Sequence, residues 1–295
     1  MSMMDATGAL RVSDAVPKAV ALAFLRGDSQ ENVFLISRIR SGGMENKRKP
    51  GHGSFLGVYD EDQSLRGLAF MGNGGTLVLS VDDAKVAEMF VRPIADKGYR
   101  FSIFVAEDAA GRCFLNLYKK EAGSTPTLNR RQPFYVLTSR DLTKGHKEID
   151  MEQASLDSID ELTELSCAMV CEDLKLDERA IDRKHYRLRM TEKVMDGRAF
   201  LCRDDEGRPI FKCDMAVMGP EGALLEGVFT PKDLRGQSIA TRAIWTLCKD
   251  LLNRQDVPFI ALHVDEKNKA ARKVYENVGF QHRRDFRLAL MPTGV

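Results

Sequence analysis

The sequence has no apolar run approaching the roughly 20 residues that a membrane-crossing helix needs, so no membrane partner is expected. It has no excess of charge of either sign: 44 basic residues stand against 43 acidic ones, a net charge of +1. Nothing in that balance draws the chain to nucleic acid or to an anionic surface. Cysteine pairs are missing too. Cys113, Cys167, Cys171, Cys202, Cys213 and Cys248 include no CxxC, and the five histidines show no HxH or HExxH spacing. No metal is expected, and the six cysteines read as reduced core thiols. The opening MSMMDATGALRV has no basic segment ahead of an apolar core. No secretory leader is expected, and the cytoplasm is the expected compartment.

What is present is ordinary for a globular protein: 295 residues, 43% hydrophobic and 29% charged. That length suits two domains, each with its own core. Polar, turn-rich stretches at Gly123–Pro133 and Thr143–Lys147 place the boundary near residue 145, giving 1–145 and 146–295. The two halves show one order of elements. A hairpin at Phe55–Tyr59 and Leu65–Met71 matches one at Phe200–Arg203 and Ile210–Val217. Strands at Thr76–Ser80 and Ala223–Thr230 lead to helices at Asp82–Lys97 and Ser238–Asn253. Strands at Arg100–Ala106 and Pro258–Val264 lead to helices at Ala109–Glu121 and Asn268–Asn277. Final strands at 133–138 and 284–290 close each half. The register runs about 145 to 157 residues apart, with Tyr118 opposite Tyr275. The series predicts tandem copies of one α/β fold. Ahead of the second hairpin, Leu156–Leu174 reads as an amphipathic helix and Asp182–Met195 as a basic helix with a solvated face.

The halves differ at one turn. In the second, Leu234-Arg235-Gly236-Gln237-Ser238-Ile239-Ala240 joins a strand to a helix. Such a turn aims several backbone N–H groups at one point, at the positive end of the helix dipole, and suits a phosphate. The first half has only Val81-Asp82-Asp83 there, whose carboxylates repel a phosphate. Gly72-Asn73-Gly74-Gly75 lies between two strands and reads as a hairpin turn, not a phosphate loop. About 40 residues after the turn, Asn268, Ala271 and Tyr275 recur at helical spacing on one face.

VFTPKDLRGQSIATRAI resembles the Val-x-Thr-Pro-x-x-x-Arg-Gly-x-Gly-x-Ala segment of the GNAT superfamily, the GCN5-related N-acetyltransferases. NKAARKVYENVGF resembles its Asn-x-x-Ala-x-x-x-Tyr-x-x-x-Gly-Phe segment. The resemblance covers residues 223–280, with a degenerate GNAT-like half before it. It implies a mixed, mostly antiparallel α/β sheet flanked by helices in each half. It implies acetyl-CoA as co-substrate and acyl transfer to an amine by direct attack.

The implied roles follow the motif. The backbone of Val228 and Thr230 would hold the pantetheine arm. The amides of Arg235, Gly236, Gln237, Ser238, Ile239 and Ala240 would hold the pyrophosphate, with added charge from the Arg235 side chain. Asn268 would bond the pantetheine or a water, beside Ala271. Tyr275 would protonate the leaving thiolate; its other reading is a core tyrosine, and that of Asn268 a helix N-cap. Glu226 is the candidate base, placed by strand alternation on the face of Val228 and Thr230 among apolar neighbours; its other reading is a salt-bridged or edge-exposed carboxylate. Glu172 and Asp173 are candidates for holding the acceptor's ammonium. His263 is a lesser candidate base. The pattern departs from the family at Asp233, ahead of the turn, and at Ser238, where Gly or Ala is usual. Ser238 is expected to cap the helix with its hydroxyl. These departures motivate an alternative reading, a non-catalytic acyl-CoA sensor or scaffold. The acceptor, a small-molecule amine or a peptide, and the oligomeric state stay open.

Overall fold

A computed structural model describes residues 10–49, 51–253 and 257–292; residues 1–9, read above for a leader, lie outside that set. The chain divides into two compact units, Met1–Phe134 with Arg284–Val295, and Tyr135–Arg283.

The first unit runs β1 (Arg11–Ser13), α1 (Lys18–Leu25), α2 (Val33–Gly42), β2 (Gly53–Tyr59), β3 (Leu65–Gly72), β4 (Thr76–Ser80), α3 (Ala84–Met89), α4 (Val91–Asp96), β5 (Ile103–Glu107), α5 (Asp108–Ala122) and β6 (Leu128–Leu137). The second runs β7 (Glu152–Gln153), α6 (Ile159–Leu174), α7 (Arg183–Met195), β8 (Ala199–Arg203), β9 (Pro209–Gly219), β10 (Gly222–Phe229), α8 (Ile239–Asn253), β11 (Ile260–His263) and α9 (Lys269–Val278), and β12 (Gln281–Leu290) follows. Strand pairing repeats: β1 to β4 are antiparallel neighbours and β4 pairs β5 in parallel, while β7 to β10 are antiparallel and β10 pairs β11 in parallel. This is the expected tandem of mixed α/β sheets.

Both sheets are covered on two faces, which is why their strands read as near-continuous apolar runs. In the first unit Phe55, Tyr59, Leu68 and Phe70 pack with α1 and α2, and the alternating Leu56, Val58, Ala69 and Met71 pack with α3 to α5. In the second, Ala199 and Leu201 pack with α6 and α7, while Phe200, Cys202, Phe211, Cys213 and Met215 pack with α8 and α9.

Four expectations need correction. The boundary near 145 falls inside the second unit, because the polar stretch is docked and not open. The indole Nε1 of Trp245 donates to the Thr143 carbonyl at 2.7 Å, the Thr143 amide donates to Val278 O at 3.1 Å, and Arg242 donates to the carbonyls of Lys147 and Glu148. The final strands are also exchanged. β12 pairs with β5, from Phe286↔Glu107 to Leu290↔Ile103, and lends Ala289 and Met291 to the first unit's core, while the end of β6, from Tyr135, enters the second unit next to β11. The helix expected over Asp82–Lys97 breaks at Phe90, because Pro93 has no N–H and its ring would strike the Met89 carbonyl. Leu156, assigned to the apolar stripe of the following helix, lies in a 3-10 turn and is 61% exposed.

Strand exchange makes a direct test. Removing residues 281–295 strips β5 of its antiparallel partner. Hydrogen exchange should then show protection of Ile103–Glu107 falling roughly tenfold or more; unchanged protection would show that β12 is not the partner that closes this sheet.

Candidate functional site

The site grows from a flaw in β10. Leu225 pairs Met215 and Glu226 pairs Asp214, but Phe229 pairs Lys212, so three steps along β10 answer two along β9. The extra residue makes a β-bulge. Gly227 lies in it at φ 60, and a Cβ there would stand 2.2 Å from Asp214 Oδ2. A side chain there would collide with the Asp214 carboxylate, and the left-handed backbone also favours glycine. On its other edge β10 pairs β11 only from Ala223↔Ile260 to Leu225↔Leu262, then runs on alone to Phe229. The two strands part, and the β10 backbone from Glu226 onward offers an unpaired edge toward the gap.

The bulge reverses strand alternation. Leu225 packs in the α8/α9 core, Glu226 points to the α6/α7 face, and Val228 packs on the α8/α9 core again. Glu226 is therefore not on the face of Val228, nor set among apolar neighbours as expected. It lies opposite Asp214 and accepts a hydrogen bond from Lys193 Nζ at 2.5 Å. Lys193 also reaches Asp214 Oδ2 at 3.2 Å, and Lys212 Nζ donates to the same oxygen at 2.8 Å and to Ser166 Oγ at 2.9 Å. Lys212 and Asp214 are buried, Lys193 nearly so, and Glu226 is 38% exposed at the opening. Two ammonium and two carboxylate groups balance. Burial alone would push the Asp214 carboxyl up, but the two lysines together hold it below its usual range.

Sequence reasoning missed Lys193, Lys212 and Asp214. A signal was there: Lys212 and Asp214 alternate with Phe211, Cys213 and Met215 in a strand apolar enough to be covered on both faces, and Lys193 shares a helix face with the buried Met190 and Val194. A charge at such a position is buried and needs a partner.

The turn ahead of α8 behaves as expected in outline. The amides of Gly236, Gln237, Ser238, Ile239 and Ala240 make no backbone hydrogen bond among the described residues. They sit at the start of a 15-residue helix, whose dipole adds to their pull on an anion. Gly236 and Ser238 both take positive φ, 81 and 59. The carbonyl of Ser238 accepts from Arg242 N at 3.0 Å. Its hydroxyl makes no capping bond among the described residues, contrary to expectation, because the left-handed backbone is not the extended conformation a capping residue needs. Arg235 is already committed. It forms a two-pronged pair with Glu172 at 2.7 and 2.9 Å, and its Nε donates to Thr230 O at 3.0 Å. That contact holds the Glu172 carboxyl below its usual range. Neither Arg235 nor Glu172 stands free for the ligands assigned to them, and the Thr230 carbonyl is already engaged by Arg235. Asp233 turns to Arg208, at 2.7 Å, on the β8–β9 hairpin.

On α9, Asn268 caps the helix, its side-chain oxygen accepting from Ala271 N at 3.0 Å. Ala271, Ala240 and Val228 pack against the same hydrophobic cluster that holds Tyr275. Tyr275 is 6% exposed and meets Phe280 edge-on at 5.8 Å; its hydroxyl has no hydrogen bond among the described residues. Burial, helped by Cys213 and Cys248, pushes its phenol well above the usual value, so the group keeps its proton. Glu226 and Tyr275 thus belong to opposite faces of the sheet at the parted strands. No group of three His, Cys, Asp or Glu side chains able to hold a metal occurs among the described residues.

Two outcomes test this geometry. At φ 59 a side chain costs about 1–2 kcal/mol, which glycine avoids. Ser238→Gly should raise the urea midpoint, and a lower midpoint would contradict the left-handed turn. Burial pushes the His263 imidazole from 6.5 to about 4. The unfolded chain takes up that proton more readily, so this contribution to stability is whole above pH 6.5 and is lost as pH falls toward 4. His263→Phe should flatten the fall in urea midpoint across that window; an unaltered slope would contradict the assignment.

Residues 168–280, from α6 to the end of α9, match the model of the acetyltransferase (GNAT) family. No curated protein matches the chain. Among solved structures, a GNAT-family acetyltransferase from Colwellia psychrerythraea is 13% identical, covers 96% of this chain and 99% of its own, and has a TM-score of 0.55. A GCN5-related N-acetyltransferase from Sphaerobacter thermophilus is 15% identical, with 95% and 94% covered and a TM-score of 0.59. A tandem GNAT protein from the clavulanic acid biosynthesis pathway is 13% identical, with 96% and 98% covered and a TM-score of 0.50. At these identities the structures speak for the fold. Residues 168–280 thus carry the match to the acetyltransferase (GNAT) family, and the solved structures share the fold over nearly the whole chain.

Proposed function

We propose that the second unit transfers an acetyl group from acetyl-CoA to an amine, the acceptor being a small molecule or a peptide, in the cytoplasm and without nucleic acid, membrane or metal. The observation that carries this reading is the parting of β10 from β11 after Leu225↔Leu262, with free amides at Gly236–Ala240 just beyond. An extended arm lying along the exposed edge of β10 would meet the N–H groups of Val228 and Thr230, as an added strand does. Its pyrophosphate would meet the turn. Acetyl-CoA supplies an acyl group already activated as a thioester.

The chain's own residues divide the remaining work. Glu226 takes the proton that the amine nitrogen loses as its bond to the acyl carbon forms. Tyr275 gives its phenolic proton to the sulfur as the carbon–sulfur bond breaks, and solvent restores it. Their placement on opposite faces of the sheet separates proton removal from proton delivery. The raised Tyr275 phenol stays protonated until thiolate develops beside it. The alternative of a non-catalytic sensor loses part of its motive, since the Asp233 carboxylate is engaged by Arg208 and does not face the turn unopposed.

Acetyl-CoA should raise the thermal midpoint, and an amine library should reveal thiol release. Tyr275→Phe and Glu226→Gln should each lower kcat by roughly 10²–10⁴ while leaving acetyl-CoA binding in place. Stabilisation by acetyl-CoA without thiol release from any amine, and with Tyr275→Phe silent, would favour the sensor.

A further inference from the structure

Strand register sets Asp214 of β9 directly opposite Glu226 of β10. Two like charges in facing positions repel, and the pair is unfavourable unless a cation joins them. Lys193 is that cation. Its ammonium lies 2.5 Å from Glu226 Oε1 and 3.2 Å from Asp214 Oδ2, and the side chain is 9% exposed. It comes from α7, an element that adds no other group to the ion cluster. Asp214 in turn is fixed by Lys212, which is fully buried and anchored to Ser166 of α6. Asp214 Oδ1 is buried with no hydrogen-bond partner among the described residues, where the two lysines are what holds this carboxylate. Lys193 from α7 and Lys212 from β9, itself braced by Ser166 of α6, thus converge on one oxygen, Asp214 Oδ2, and within this cluster Glu226 is the member that opens to the gap.

We propose that Lys193 is a positioning residue: seated on Asp214, it fixes the Glu226 carboxylate at the mouth of the parted strands. This rests on the reading of Glu226 as the base in acyl transfer. A carboxylate at a bulge has no regular ladder to orient it, and a base misplaced by an ångström loses much of its effect. Lys193 supplies the orientation from outside the sheet. The cofactor turn at Gly236–Ala240 shares no member with this cluster, so the two functions separate.

The experiment compares Lys193→Met, Lys193→Arg, Glu226→Gln and the Lys193→Met/Glu226→Gln double variant in the full chain, with acetyl-CoA and the best amine from the library. Lys193→Met should lower kcat tenfold or more while changing the KM for acetyl-CoA less than twofold. Lys193→Arg should recover at least a third of the lost rate. The double variant should be no slower than Glu226→Gln alone, because both changes remove one device. A loss in Lys193→Met that multiplies with that of Glu226→Gln, or that falls on the KM for acetyl-CoA, would overturn the proposal and leave Lys193 a packing residue. If Lys193→Met does not fold, Lys193→Gln keeps a donor without the charge and must meet the same criteria. A silent Glu226→Gln is a different failure: it removes Glu226 as base and the proposal with it, while leaving acetyl-CoA binding untouched.

Discussion

At Gly227 the β10 backbone crosses over the carboxylate of Asp214 with no room for a side chain between them. The rest of the second unit's site follows from that crossing. Because a residue is inserted, Glu226 and Val228 fall on opposite faces, and charge on one side is separated from the apolar wall on the other. Because β10 bends there, its pairing with β11 ends early and a backbone edge is left open. Because Asp214 lies underneath, two lysines are drawn into the interior. Buried charges of this kind contribute little net stability, since the cost of desolvation offsets most of the attraction. What they contribute here is geometry.

The first unit shows what the same strand order looks like without such a site. Where the second unit leaves amides unpaired ahead of α8, the first has Asp83, whose carboxylate accepts from Lys85 N at 2.7 Å and closes the start of a six-residue helix. An acidic side chain satisfies the donors that a phosphate would need. Tyr118, in register with Tyr275, stacks on Phe114 at 5.5 Å and meets Phe101 at 5.1 Å within an aromatic core that also includes Phe104. Tyr275 is equally buried, against Phe280, so the two units differ at the helix start: the first closes it with a side chain and the second leaves its amides unpaired among the described residues.

Much of this was legible in the sequence, for local reasons. Hairpins, helices and the Asn268 cap depend on residues a few positions apart, and strong apolar alternation made the repeat visible. The turn at Leu234–Ala240 was legible because glycine and a strand-to-helix junction have a direct backbone meaning. The exchange of final strands was not, because 133–138 and 284–290 carry similar patterns and only their pairing partners distinguish them. Nor was the face of Glu226, since counting by twos fails across an inserted residue. Strand alternation set Glu226 on the face of Val228, and the residue inserted at Gly227 puts them on opposite faces. Arg235 was assigned to a ligand when Glu172, 63 positions earlier, already holds it.

The central claim is that the second unit alone carries an anion-binding helix start beside parted strands. Hydrogen exchange with and without acetyl-CoA tests it at the level of single segments. The account predicts added protection at Gly236–Ala240 and along Glu226–Thr230, and none at Val81–Val86. Protection at Val81–Val86, or none in either turn under saturating acetyl-CoA, would contradict it.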